Sequence, residues 1–211
     1  MRFRERVYWD SFKDPYQMGA QSHRVYLLNL LRDKGVKSIL DVGCGTGPIY
    51  ELIKENFSGW NFKYKGTDYS WGMIDVCKRE FPEGNFEVQD ARAIKEEDRS
   101  WDCVLLMHCL DHLDDYEAAI KEASRVAKRY VLIVLWRSIN YNEGGQNNLN
   151  SRNRYGKEEE EEDWEDTHLQ DYAWEPLKKA FDDAGLTVVM TKDDLEINKE
   201  GRFNTLILLE K

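Results

Sequence analysis

Apolar and polar residues follow one another along this chain in blocks that predict strands and helices in regular succession. The short apolar runs predict strands at residues 37–42, 62–68, 85–89, 101–107, 130–136, 186–191 and 203–209. Apolar residues at helical spacing predict helices at residues 17–34, 48–57, 117–128 and 169–184. We therefore expect an α/β fold with one doubly wound sheet, in which the last two strands form an antiparallel pair around Gly201.

Length, composition and charge limit the class of protein. With 211 residues, 41% of them hydrophobic, we expect a single domain over residues 1–211. The formal net charge of −10 argues against non-specific binding to nucleic acid or to an anionic membrane. The N-terminus has no apolar signal segment and no run approaches the length of a membrane span, so we expect a soluble, cytoplasmic protein. The oligomeric state stays open.

Cysteine and histidine spacing gives little support for a metal. His108 and His112 stand at H-x-x-x-H, but no third ligand is suggested, so we expect no metal site. The cysteines are scattered and are expected to be small core residues in a reducing compartment: Cys44, Cys77, Cys103 and Cys109.

The most informative stretch joins the first predicted strand to the next helix. The apolar run ends in Asp41, and Gly43, Gly45 and Gly47 alternate before a helical pattern begins at Pro48. Glycines permit positive φ angles and let a ligand approach the main chain closely. The spacing is not the dinucleotide G-x-G-x-x-G, and the Asp41 carboxylate would repel a pyrophosphate. It suits a ligand that carries an ammonium group; the alternative is an ordinary turn between strand and helix.

This stretch resembles motif I of the class I methyltransferases that use S-adenosylmethionine (SAM), an acidic residue followed by x-G-x-G-x-G. The resemblance covers residues 36–137 and, in outline, 170–211. It implies the Rossmann-like family fold, a seven-stranded and mostly parallel sheet with an antiparallel last strand. It also implies that SAM is the cofactor, that S-adenosylhomocysteine is the product, and that five residues bind them: Asp41, Gly43, Cys44, Gly45 and Gly47.

Two later segments stand where the family holds the nucleoside of SAM. Asp68 ends the second predicted strand, where a carboxylate can accept hydrogen bonds from two ribose hydroxyls; alternatively, it caps the next helix. Its neighbours resemble the family run G-x-D-x-S-x-x-M, which adds Tyr69 and Met73 to the predicted site, with the methionine on the adenine face. Asp90 and Ala91 come after the third strand, where the family places an Asp near the adenine amino group; the alternative is a loop Asp that caps the next segment of the chain.

The segment after the fourth predicted strand resembles the family pattern in which an acidic residue and a histidine follow that strand. His112 falls on the family histidine and Asp111 on its acidic partner. The pattern is typical of small-molecule methyltransferases like those of ubiquinone and menaquinone biosynthesis. We expect Met107 and His108 to border the cofactor. His112 is the candidate catalytic base, and the alternative is that it only braces the loop.

Two segments lie beyond the resemblance. Residues 1–34 are expected to form an N-terminal helical cap, in which Tyr16, Tyr8 or Trp9 closes over the sulfonium end of SAM; the alternative is that this segment only packs against the domain. Residues 138–168 form a polar, acidic insertion that is either a lid over the acceptor or a passive linker.

These observations predict a SAM-dependent methyltransferase that acts on a small molecule. Two alternatives stay open: a non-catalytic module that binds SAM or adenosine, and an RNA methyltransferase. The N/D-P-P-Y motif of the amino-group methylases of nucleic acid does not occur in this chain, which makes nucleic acid a less favoured partner. The sequence identifies neither the acceptor nor the atom that is methylated.

Overall fold

The computed structural model describes residues 21–57, 59–136, 139, 141, 148–150, 169–192 and 204–211. Its helices are α1 (Gln21–Asp33), α2 (Pro48–Asn56), α3 (Trp71–Glu80), α4 (Tyr116–Val126) and α5 (Trp174–Asp183), with a short 3-10 turn at Leu110–His112. Its strands are β1 (Ser38–Val42), β2 (Lys63–Asp68), β3 (Phe86–Val88), β4 (Trp101–Met107), β5 (Ala127–Leu135), β6 (Asn148–Asn150), β7 (Leu169–Asp171), β8 (Thr187–Lys192) and β9 (Thr205–Glu210).

Seven of these strands form one sheet in the order β3-β2-β1-β4-β5-β9-β8. The first five strands in this order, β3-β2-β1-β4-β5, are parallel to one another. Strand β9 is antiparallel to both β5 and β8. This confirms the predicted α/β fold, a mostly parallel seven-stranded sheet with an antiparallel last strand. The strand order reverses between β1 and β4, and their carboxyl ends border the crevice where such sheets bind ligands.

Each face of the sheet is covered by its own set of helices. In β4, Leu105 packs in the layer that contains Leu27 of α1 and Ile49 of α2, whereas Leu106 packs in the layer that contains Ile120 of α4 and Phe181 of α5. Burial on both sides explains why this strand is almost continuously apolar and why its bounds could be predicted. None of the described helices is long and apolar enough to cross a membrane.

The helix predicted to begin at residue 169 begins five residues later, at Trp174. Leu169–Asp171 is strand β7, which pairs antiparallel with Asn148–Asn150, and α5 begins only at Trp174. Pro176 explains the late start, because a proline inside a helix removes a hydrogen bond and clashes with the carbonyl four residues earlier. With α5 beginning at Trp174, Pro176 lies in the first turn, where no intrahelical N–H bond is lost.

Several predictions concern residues outside the described ones. They include the roles of Tyr8, Trp9 and Tyr16 in the N-terminal cap, and the turn around Gly201. Most of the 138–168 insertion also lies outside, although Asn148–Asn150 belongs to β6 and Ile139 is 5% exposed in the core layer beneath α4 and α5.

Candidate active site

The turn between β1 and α2 is built on glycines with a left-handed backbone. The φ angle is +79° at Gly43, +55° at Gly45 and +86° at Gly47, a region that other residues rarely adopt. The Gly43 N–H donates to the carbonyl of Thr67 at 2.7 Å, which fixes the turn to the end of β2. A Cβ added to Gly43 would lie 2.8 Å from the Cβ of Cys109, whereas one added to Gly45 would meet no described atom within 4 Å. The turn is therefore closed at Gly43 and open at Gly45.

Cys44, between these glycines, turns its side chain away from the open side. It is 4% exposed and packs in the core layer with Cys77 and Phe86. The neighbouring Cys77 thiol and burial raise the pKa of Cys44 well above 9.0, so the thiol stays protonated. Only the main chain of Cys44 is available to a ligand at the turn.

Asp41, in β1, presents a buried carboxyl group beside this turn. It is 1% exposed, and its Oδ2 accepts a hydrogen bond from the Tyr64 hydroxyl at 2.6 Å. Its Oδ1 is also buried and has no hydrogen-bond partner within the described residues. Burial raises the pKa of Asp41 from 3.8 to about 7; the Tyr64 hydrogen bond and the charge of Arg24 lower it, and the charge of Asp68 raises it. A cationic ligand would stabilise the ionised form of this carboxyl group.

Asp68, at the end of β2, holds the glycine turn from the other side. Its Oδ2 accepts from the Gly45 N–H at 3.0 Å and its Oδ1 from the Ser70 N–H at 2.8 Å. The cap of α3 is the Ser70 hydroxyl, which accepts from the Met73 N–H at 3.3 Å, so Asp68 is not itself the helix cap. Burial raises the pKa of Asp68, while its backbone hydrogen bonds lower it. Each oxygen keeps a further lone pair for a hydroxyl donor.

The residues predicted to border adenine differ in their exposure and in the hydrogen bonds that they already make. Met73 and Ala91 are 6% and 8% exposed and offer apolar surface, whereas Tyr69 is 41% exposed. Asp90 is engaged by Arg92, whose Nη2 lies 2.8 Å from Oδ2 and whose Nε lies 3.0 Å from Oδ1. This hydrogen bonding lowers the pKa of Asp90. A base amino group would therefore have to share the Asp90 oxygens with Arg92.

His108 lies directly after β4, in a conformation that is rare for a residue other than glycine. Its φ angle is +54°, and such strain in non-glycine residues is typical of functional sites. Its ring centroid lies 4.1 Å from that of Trp136 and 5.7 Å from that of His23. Its Nδ1 is buried and lacks a hydrogen-bond partner among the residues that the structure describes. Burial, with the charges of His23, Arg24 and His112, lowers the pKa of His108 well below 6.5, so its imidazole is neutral.

The predicted base, His112, ends the short 3-10 turn at Leu110–His112 and is half-buried. Asp111 is 1% exposed and accepts from the Trp136 N–H at 3.3 Å, which fastens the turn to the end of β5. The Tyr172 hydroxyl donates to the Leu110 carbonyl at 2.8 Å. Strand β7 also lies against the turn. Over the described part of the chain, no group of three His, Cys, Asp or Glu side chains is placed to hold a metal ion.

Two residues of α1 extend the site beyond the sequence prediction. His23 and Arg24 are 2% and 3% exposed, and the charge of Arg24 lowers the pKa of both Asp41 and His108. The sequence alone allows His23 to be exposed or packed, and it is packed against His108. Sequence reasoning misses Arg24, although it precedes Leu27 and Leu28 by three and four residues and therefore shares their buried stripe.

Comparison with known proteins finds similarity to methyltransferases. Residues 39–129 match the family model described as "Methyltransferase domain". The chain is 26% identical over 112 residues to a demethylmenaquinone methyltransferase of Thermotoga maritima, covering 53% of this chain and 48% of the relative. It is 32% identical over 146 residues to a tRNA N(3)-methylcytidine methyltransferase of Schizosaccharomyces pombe, covering 60% of this chain and 47% of the relative. The chain thus spans about half the length of these curated relatives.

Solved structures with the same fold include a Burkholderia thailandensis 1,6-didemethyltoxoflavin-N1-methyltransferase with bound S-adenosylhomocysteine. The TM-score is 0.69 at 15% identity, and the alignment covers 98% of this chain and 87% of that one. The identity is low, so the match bears on the fold alone. Residues 39–129 are therefore similar to a methyltransferase domain, and the chain has the Rossmann-like fold of SAM-dependent methyltransferases.

Proposed function

We propose that this chain is a SAM-dependent methyltransferase that transfers a methyl group to a small-molecule acceptor. The observation that carries the proposal is Asp41, whose buried Oδ1 lacks a partner within the described residues and lies beside the glycine turn. SAM fits this site chemically, because its ammonium group would pair with Asp41. The positive charge of Arg24, close enough to lower the pKa of Asp41, suits the neighbouring carboxylate of SAM.

The nucleoside end of SAM would be held by the residues around the open side of the turn. Asp68 would accept hydrogen bonds from the ribose hydroxyls, and the main chain at Gly45 would border the ligand closely. Met73 and Ala91 would supply apolar contacts to adenine. The predicted contacts of four further residues belong to the same proposal: Tyr69, Asp90, Met107 and His108.

The main catalytic role proposed for the residues of the chain is to position the acceptor against SAM. When bound, SAM supplies a methyl group that its sulfonium has already activated. The residues of the chain orient the acceptor and exclude water. The neutral imidazole of His108 adds no positive charge next to a cationic ligand, since burial keeps its pKa low. His112 would accept the proton that an attacking hydroxyl, amine or acidic carbon loses.

The class of acceptor and the setting of the protein are part of the proposal. By their names, the Thermotoga and Burkholderia proteins methylate small molecules, whereas the Schizosaccharomyces relative is a tRNA methyltransferase. A net charge of −10 favours the small-molecule class. We also propose a single domain over residues 1–211 and a cytoplasmic location. The location is supported by the four cysteines, which are free thiols.

The test is transfer of a labelled methyl group from SAM to panels of phenols, amines, carboxylic acids and quinone precursors, with tRNA as a separate arm. We expect transfer to at least one small-molecule class and none to tRNA, and His112→Gln is the variant that reports on the base. Transfer to tRNA alone would favour the RNA alternative. Binding of SAM without transfer to any acceptor would favour a non-catalytic module.

A further inference from the structure

We propose that Tyr64 is a positioning residue of the cofactor site, which aims Asp41 at the ammonium group of SAM. The inference rests on the proposed function and assigns a role to a residue outside motif I. Its basis is the 2.6 Å hydrogen bond between the Tyr64 hydroxyl and Asp41 Oδ2, together with the unpaired Oδ1 within the described residues.

The sheet register explains why Tyr64 can reach Asp41. Ile39 of β1 pairs with Tyr64 of β2, and Asp41 lies two residues beyond Ile39. Side chains two residues apart on a strand point to the same face, so Tyr64 and Asp41 are diagonal neighbours on one face of the sheet. A tyrosine is long enough to bridge that diagonal, and its hydroxyl then meets the carboxyl group from one side only. Oδ1 is left without a partner within the described residues.

The ring of Tyr64 is held in place by an aromatic cluster. Its centroid lies 5.2 Å from that of Tyr50 and 6.1 Å from that of Phe86, and the residue is 8% exposed. Burial and the charge of Asp41 raise the pKa of Tyr64 well above 10.0, so the hydroxyl keeps its proton and acts as a donor. The carboxyl group of Asp41 therefore has one fixed orientation before any ligand arrives.

The hydrogen bond also favours the charged form of Asp41. Burial raises the pKa of this carboxyl group and so favours its protonated form, which attracts an ammonium group poorly. The groups that shift the pKa of Asp41 are Tyr64 and Asp68 from β2 and Arg24 from α1. Of these, Tyr64 and Arg24 lower its pKa, and Asp68 raises it. Three thiols also face Asp41, and their raised pKa values keep them neutral: Cys44, Cys103 and Cys109. Tyr64 thus orients the carboxyl group and favours its charged form.

The experiment measures binding of S-adenosylhomocysteine by calorimetry from pH 6 to 8.5, in the wild type and in Tyr64→Phe. 5′-Methylthioadenosine, which lacks the amino-acid end, serves as a second probe. Without the hydrogen bond, which lowers the pKa of Asp41, that pKa should rise above about 7. We expect the affinity of Tyr64→Phe for S-adenosylhomocysteine to fall about fivefold or more at pH 7 and to recover as the pH rises. Its affinity for 5′-methylthioadenosine should not change.

Two further variants separate positioning from a general loss of structure. Tyr130→Phe removes a hydroxyl from another buried tyrosine of the same core layer and should leave both affinities unchanged. Asp41→Asn lacks the charge at every pH, so adding Tyr64→Phe to it should have little further effect. Unchanged binding of S-adenosylhomocysteine by Tyr64→Phe, or an equal loss for both probes, would overturn the role of Tyr64. A wild type that binds neither probe would instead refute the proposed function itself.

Discussion

The glycine turn gives a prediction in which stability and binding can be separated. Gly43→Ala and Gly45→Ala both force alanine into a left-handed backbone, at φ +79° and +55°. That conformation costs about 1–2 kcal/mol for a residue with a Cβ. At Gly43 the new Cβ would also lie 2.8 Å from Cys109 Cβ and 3.0 Å from its Sγ, and such overpacking adds about 1–3 kcal/mol. At Gly45 no described atom lies within 4 Å, so only the backbone cost applies.

We therefore expect Gly43→Ala to lose about 2–5 kcal/mol of unfolding free energy in a urea titration, and Gly45→Ala about 1–2 kcal/mol. Gly45→Ala should nevertheless lose about tenfold or more in affinity for S-adenosylhomocysteine, because its methyl group would stand on the open side of the turn. The main-chain N–H that donates to Asp68 is retained in this variant, so the loss would come from the added methyl group.

Gly35→Ala is the matched control for this experiment. Gly35 follows α1, has φ +71° and has no described atom within 4 Å of its added Cβ, so its backbone cost should equal that at Gly45. We expect equal losses of stability for Gly35→Ala and Gly45→Ala, with unchanged ligand affinity only in Gly35→Ala. Normal binding of S-adenosylhomocysteine by Gly45→Ala would refute the idea that the ligand crosses this turn.

Three further predictions concern side chains of the site. Asp68→Ala should weaken SAM binding by about 1–3 kcal/mol in calorimetry, because the ribose hydroxyls would lack their acceptor; an unchanged affinity would contradict this role. His112→Ala and His112→Gln should lower turnover roughly 10²–10⁴-fold with SAM affinity unchanged, and normal turnover from pH 6 to 9 would make His112 structural. Burial raises the pKa of Asp41 from 3.8 to about 7, so its protonated form stabilises the ligand-free fold; this contribution is fully present below pH 3.8 and is lost as the pH rises from there through about 7. Asp41→Asn should therefore raise the melting temperature relative to wild type more at pH 8 than at pH 5, where part of this contribution is still present; an equal effect at both would show that Asp41 does not titrate in this range.

Local patterns were enough to predict most of the sheet. Strand β4 has the predicted bounds because its apolar run is buried on both faces and needs no partner information to be recognised. Strand β7 could not be predicted in this way, since Leu169–Asp171 is a strand only through its pairing with Asn148–Asn150. The position of Pro176 in the first turn of α5 was the local signal that the helix begins late.

The arrangement of the candidate site could be predicted where its residues follow one another closely in the sequence. Asp41, the glycines and Asp68 follow each other at strand ends, and the structure brings the Asp68 carboxylate to the Gly45 N–H. Three residues reach the site only through the tertiary fold: Arg24, His23 and Tyr64. Their roles depend on how α1 packs and on the register between β1 and β2. The sequence signal for Arg24 was its spacing: an arginine three and four residues before Leu27 and Leu28 lies in the apolar stripe of the helix.

The most direct test of the central claim is a calorimetric titration of the wild type and of Asp41→Asn with SAM and, separately, with NAD at pH 7.5. The account predicts one SAM site in the wild type, a loss of about tenfold or more in Asp41→Asn, and no binding of NAD by either protein. Binding of NAD without binding of SAM, or equal SAM affinity in the two proteins, would contradict it.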